Sequence, residues 1–268
     1  DTVTATWNNT AGGDNNSDTI AGVTVDFSAF GGGAAVAAVN AGGTWTATYV
    51  IGAGVIDAGN RNVSVTATDN AGNATTTGDT TNATLDNQAP TVTDGNISIS
   101  GATGIGGAFK IGDTVTATWN NTPGGDSNGD TIAGVTVDFS AFGGGAAVAA
   151  VNAGGTWTAA YTIVAGAIDG SNKNINVTAT DNAGNATTTA DTSNATVDNV
   201  APTVSDANIS ISGATGTGGA FKIGDTVTAT WNNTAGGDNN SDTISSMTVD
   251  FSAFGGGAAV AAVNAGGT

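Results

Sequence analysis

The segment DTVTATWNNT begins at Asp1, again at Asp113 and again at Asp225, so the chain repeats itself with a period of 112 residues. Residues 1–44 differ from 113–156 at three positions and from 225–268 at three others, while residues 45–112 differ from 157–224 at sixteen of 68. Such a chain folds one unit several times over. A period of 112 is far longer than a solenoid turn and suits one independent domain per copy. Two periods and 44 residues of a third are present, and duplication this faithful is tolerated where length or multiplicity is itself useful.

Each copy is poor in helix formers. The chain has a single Leu, three Lys and no Glu, while Thr, Val, Ile, Gly, Asn and Asp dominate, which favours strands and turns. In the middle copy, alternation and turn residues predict strands over 96–102, 113–119, 135–142, 146–152, 156–163, 174–181 and 186–198. Seven strands in about 110 residues predict an all-β fold: tandem immunoglobulin-like antiparallel β-sandwiches, one per repeat. Val115, Ala117 and Trp119 share one strand face, so Trp119 is expected in the core, with Phe139, Trp157, Tyr161, Ile163 and Val177 as further core candidates.

Composition removes whole classes of function. With no Cys and no His, the chain has no Ser-His or Cys-His nucleophile, no common zinc or haem ligation and no disulfides. A net charge of -18 opposes nucleic acid and anionic bilayers, and apolar runs such as AAVAAV are far short of a membrane span. The glycine runs GATGIGG and FGGGAA lack the following GK[ST] of a phosphate loop. No Asp-Thr-Gly or Asp-Ser-Gly occurs, and an enzyme is not expected.

Three segments carry a resemblance: TWTAAYTI at 156–163, NVTATDNAGNATT at 176–188 and the junction VDNVAPTV at 197–204, each with a counterpart one period earlier. They resemble the tandem bacterial Ig-like repeats in the stalks of giant surface adhesins. That resemblance implies head-to-tail sandwiches, an exported protein on the outside of a bacterium (an archaeon is also compatible), and Ca²⁺ held by Asp residues near the junctions. Pro90 and Pro202 mark the junctions, where each fixes a backbone angle and biases its predecessor toward extended structure. The domains are expected at 1–85 (a partial repeat lacking its first strand), 86–197 (complete) and 198–268 (the first four strands), a window on a longer array.

All 22 acidic residues are Asp. Short carboxylates beside Asn and Gly are what a loop-borne Ca²⁺ site uses, with backbone and Asn carbonyls completing the shell. In seven-strand Ig topology the B–C and F–G loops share a pole with the incoming chain. This brings Asp126, Asp130 and Asp181 within reach of the linker residue Asp86. The equivalent set in the next copy is Asp198, Asp238 and Asp242, and in the first copy Asp14, Asp18 and Asp69; Asp57 or Asp169 could face a junction from the preceding domain. By the resemblance, the linker Asp and the Asp of DNAGN are the strongest of these. The competing reading is that Asp and Asn close Asx turns with no metal at all. GGDSNGD lacks the bidentate Glu of an EF-hand, and Asp113 and Asp138 are expected to be structural.

The resulting expectation is an extender whose partners are its own neighbouring repeats, with no nucleic acid and no membrane insertion. The alternative is a segment of a multi-chain surface filament or biofilm matrix fibre, in which identical chains associate through their repeats.

Overall fold

The computed structural model describes residues 1–268, and the chain is all-β, its strands antiparallel and its only helical pieces three-residue 3₁₀ turns. Two compact units are present. The first comprises Asp1–Val164 with Gly170–Val197, and the second Ala165–Asp169 with Asp198–Thr268. The first unit holds the first repeat and all of the complete one except Ala165–Asp169.

The complete repeat is an Ig-like sandwich. One sheet orders its strands Ile97–Ser100, Thr114–Asn120, Thr156–Thr162 and Val151–Ala153; the facing sheet orders Val148–Ala149, Ile132–Asp138, Asn176–Asp181 and Ala186–Ala190. A smaller sheet joins Phe109–Lys110, Ala195–Asp198 and Asp169–Lys173. The period-2 alternation explains both faces. Thr114, Thr116 and Thr118 point outward, while Val115, Ala117 and Trp119 are at most 1% exposed. Trp119 lies opposite Ile97 on one side and Trp157 on the other.

From the facing sheet Val135, Val137, Val177 and Ala179 close the core, joined by Phe139, Phe142, Ile163, Ile175 and Val197. Each of the large side chains contributes roughly 1.5–3 kcal/mol by leaving water. Phe109 packs edge-on against Phe142, ring centroids 5.6 Å apart at 90°, which ties the small sheet to the sandwich. Tyr161 is only half-buried: its ring covers Phe139 and its hydroxyl donates to the Gly143 carbonyl at 2.9 Å.

The first repeat repeats this plan with a core of Ala5, Val25, Phe27 and Ala47. The second unit contains the strand pairs Ile209–Ser212 with Thr228–Trp231 and Thr248–Val249 with Val260–Ala261.

The expected strands are present with several refinements: the one expected over 135–142 is Ile132–Asp138 followed by the 3₁₀ turn Ser140–Phe142, and the one expected over 146–152 divides into Val148–Ala149 and Val151–Ala153, which belong to different sheets. The long segment expected over 186–198 divides into Ala186–Ala190 and Ala195–Asp198, which belong to different sheets. Asp169–Lys173, DGSNK, is a strand that alternation does not reveal, because it carries no large apolar side chain to mark its inner face.

Candidate metal centre at the repeat junction

The linker is gripped from both sides by side-chain amides and carboxylates. On the first repeat's side, Asn87 is buried: its Oδ1 accepts from Ile56 N–H at 2.9 Å and its Nδ2 donates to the Gly52 carbonyl at 2.8 Å. On the following repeat's side, Thr91 N–H donates to Asn128 Oδ1 at 2.7 Å, and Asn128 Nδ2 returns a bond to the Thr91 carbonyl at 2.8 Å. The Asp126 carboxylate takes Thr93 N–H at 2.9 Å, Thr93 Oγ1–H at 2.5 Å, Asn96 Nδ2 at 2.7 Å and the Trp119 indole at 2.6 Å. Only residues 88–90 lie between the two grips, and Pro90 further restricts them.

Around this short span the carboxylates gather. Asp86 ends strand Ala83–Asp86 and pairs in register with Asp57. Asp130, at the end of the loop joining Thr114–Asn120 to Ile132–Asp138 (the B–C loop), and Asp181, at the end of strand Asn176–Asp181, approach from the second repeat. One carboxylate oxygen from each of Asp86, Asp130 and Asp181 lies within 4.8 Å of the other two. Asn185 Nδ2 also donates across the boundary to the Asp86 carbonyl at 3.4 Å.

The three carboxylates are differently supported. Asp181, 2% exposed, receives Ala183, Gly184 and Asn185 N–H on Oδ1 and Asn185 Nδ2 on Oδ2, so it closes the DNAGN turn as well as facing the cluster. Asp130 accepts Thr131 N–H on Oδ1, but its Oδ2 is buried without a hydrogen-bond partner. Burial pushes the Asp86 carboxyl above its usual value; the Gln88 N–H opposes this, and the charges of Asp181, Asp130 and Asp57 add to the rise.

A set of hard oxygens with no nearby cation, one of them buried and unpaired, fits a hard divalent ion. Oxygens bound to one Ca²⁺ at about 2.3–2.6 Å stand no more than roughly 5 Å apart, the spread found here. Asp86, Asp130 and Asp181 would hold such an ion, with Asp57 adding charge.

The second unit brings together the counterparts of Asp86, Asp130 and Asp57 one period on. The Asp242 carboxyl is raised by burial, by the charges of Asp169 and Asp198, and by a hydrogen bond shared with Asp169. The linker grip recurs as well, Thr203 on Asn240 and Ser205 on Asp238. In the first repeat Asp14, Asp18 and Asp69 line one cleft.

One member of the expected ligand set stands apart from the others. Asp126 does not join Asp86, Asp130 and Asp181, because four donors from Thr93, Asn96 and Trp119 already hold it against the linker. Asp238 is engaged in the same way by Ser205, Asn208 and Trp231, and Asp14 bonds the Trp7 indole at 2.6 Å. The roles of Asn87 and Asn128 have little signal in the sequence beyond the position of Asn87 three residues before Pro90.

No family model matches the chain, and no curated protein matches it. Among solved structures it is similar to a tetra-tandem repeat in the extending region of a large adhesion protein, at 22% identity over 80% of this chain and 53% of that one, with a TM-score of 0.29. A second similarity, at 20% identity, covers 73% of this chain and 41% of the Bacteroides ovatus mixed-linkage glucan utilization locus protein SGBP-B in complex with a mixed-linkage heptasaccharide, TM-score 0.20. The chain thus spans about half the length of the first and two fifths of the second.

Proposed function

We propose that these repeats form an extender segment of an extracellular, adhesin-like protein, non-catalytic, with Ca²⁺ stiffening the joints between sandwiches. The observation that carries the reading is the carboxylate cluster itself. Asp86 comes from the preceding repeat and Asp130 and Asp181 from the following one, so anything that binds all three ties two domains together. Asp198 and Asp242 recur at the same positions with Asp169 beside them.

Without a cation these carboxylates repel one another across the joint; the bound ion supplies the charge that offsets this. Asp57 raises the local negative charge without crossing the boundary. Extracellular modules typically hold Ca²⁺ at about 10⁻⁴ to 10⁻³ M, a range matched to external fluids rather than cytosol. Such a segment needs no further partner than its neighbours in the same chain. No helix is long and apolar enough to cross a membrane.

The test is calcium binding by isothermal titration calorimetry on the full chain. Binding is expected in that range, and Asp181→Asn is expected to weaken the site that it completes by about tenfold or more through loss of one of three carboxylates. No heat of binding at millimolar calcium would refute the reading.

A further inference from the structure

The second B–C loop differs from the others at the residues that matter most for its chemistry. It reads Ser127–Asn128–Gly129, where the first and third loops read Asn15–Asn16–Ser17 and Asn239–Asn240–Ser241. Asn128–Gly129 is the chain's single Asn–Gly dipeptide. Asn128 is also the side chain that grips the linker, bonding both the N–H and the carbonyl of Thr91 while its Nδ2 reaches Asn121 Oδ1 at 2.8 Å.

We propose that Asn128 is a covalent modification site at which the first junction ages. The Gly129 backbone nitrogen attacks Cγ of Asn128, and the new C–N bond closes a succinimide. Ammonia leaves, carrying the proton that Gly129 gave up. Water then opens the ring at either carbonyl, giving aspartate or isoaspartate. Glycine permits this because no Cβ shields its nitrogen or restricts its backbone; the Ser17 and Ser241 side chains do both at the equivalent positions.

The grip and the reaction compete for the same amide. While Nδ2 donates to Thr91 and Asn121, Cγ is held against the linker, so the chemistry belongs to the open junction. The product cannot restore what it replaced. A carboxylate has acceptors only, so the Thr91 carbonyl and Asn121 Oδ1 lose their donor and face a negative charge instead. The isoaspartate route also lengthens the main chain between Asp126, which holds Thr93, and Asp130, which faces Asp86. None of this requires a cation at the junction.

The experiment ages the full 268-residue chain in warm, mildly alkaline buffer and follows it by peptide mapping, in which conversion adds about 1 Da to the Asn128 peptide. Asn128 is expected to convert at least about tenfold faster than Asn16 and Asn240, whose following residue is Ser rather than Gly. The converted fraction, separated by ion exchange through its added charge, is expected to lose hydrogen-exchange protection at Thr91, while Thr203 in the same molecules keeps its own. Gly129→Ser should stop the conversion and leave Thr91 protected. Equal rates at Asn128 and Asn240, or full protection of Thr91 in the converted fraction, overturns the proposal.

Discussion

Three polar residues at alternate positions of one loop do three different things. Asp126 accepts from the linker and from Trp119, Asn128 pairs with the Thr91 backbone, and Asp130 turns to Asp86 and Asp181. Sequence alone shows Asp-x-Asn-x-Asp and invites a single ligand set. The split was not legible, because it depends on Thr93 arriving from 33 residues away with two donors that only an anion satisfies together. Burial pushes the Asp126 carboxyl up, but the donors of Thr93, Trp119 and Asn96 outweigh it and hold it below the usual carboxylate range. Asp126→Asn leaves one acceptor oxygen among four donors, and a loss of about 1–3 kcal/mol is expected in urea unfolding followed by Trp fluorescence. Asp113 is a second anchored carboxylate. Thr103 Oγ1–H, the Lys110 and Thr103 N–H groups and the Lys110 ammonium hold its pKa at about 2, below the ordinary 3.8. A depressed folded value means that its contribution is complete above the unfolded pKa and is lost as pH falls through the folded one. The stability advantage of the parent over Asp113→Asn should therefore shrink between about pH 4 and pH 2, measured as the difference in urea midpoint at each pH; an advantage that is flat across that window would contradict this assignment.

At the scale of elements, the strands with large inward side chains were readable and the rest were not. Thr114–Asn120 and Thr156–Thr162 announce themselves by Thr alternating with Val, Ala, Trp or Tyr, and their register sets Trp119 opposite Trp157. Asp169–Lys173 is placed by its partner Ala195–Asp198, and no local pattern could reveal it. The corner after Ile132–Asp138 depends on two glycines for separate reasons. Gly143 adopts φ 86° and offers its carbonyl to Tyr161. A Cβ on Gly144 would sit 2.8 Å from Phe139 Cβ and 2.9 Å from the Tyr161 ring, and Phe139 is fully buried and unable to yield. Gly144→Ala is expected to cost about 1–3 kcal/mol by overpacking. Gly134→Ala, where a Cβ meets nothing within 4 Å, is expected to stay within about 0.5 kcal/mol of the parent. Thermal melts of the two variants side by side separate crowding from a general cost of replacing glycine; equal losses would show that backbone freedom rather than contact governs both sites.

For the molecule as a whole, the 112-residue period carries the junction carboxylates forward, with Asp198 and Asp242 at the positions of Asp86 and Asp130 and Asp169 at that of Asp57. Two electrostatic effects act on such a chain and have to be separated. A net charge of -18 on 268 residues repels itself everywhere, and any salt relieves that by screening, with a Debye length of about 10 Å at 0.1 M. A Ca²⁺ site built from Asp86, Asp130 and Asp181, as proposed, would respond instead to one kind of ion. Ca²⁺ accepts a flexible shell of six to eight oxygens, whereas Mg²⁺ demands near-octahedral geometry and gives up its water reluctantly. At matched ionic strength, calcium at about 10 mM should therefore stabilise the chain by up to about 2.7 kcal/mol per junction if the dissociation constant is near 10⁻⁴ M, from binding to the folded state alone. Magnesium should add little beyond sodium chloride, and in Asp181→Asn the calcium increment at the first junction should largely vanish while the sodium effect remains. Melting curves in the three salts decide the matter. An equal rise in calcium, magnesium and ionic-strength-matched sodium would mean that the clusters are only part of the diffuse surface charge, and that Pro90, Asn87 and Asn128 hold the joint without help from an ion.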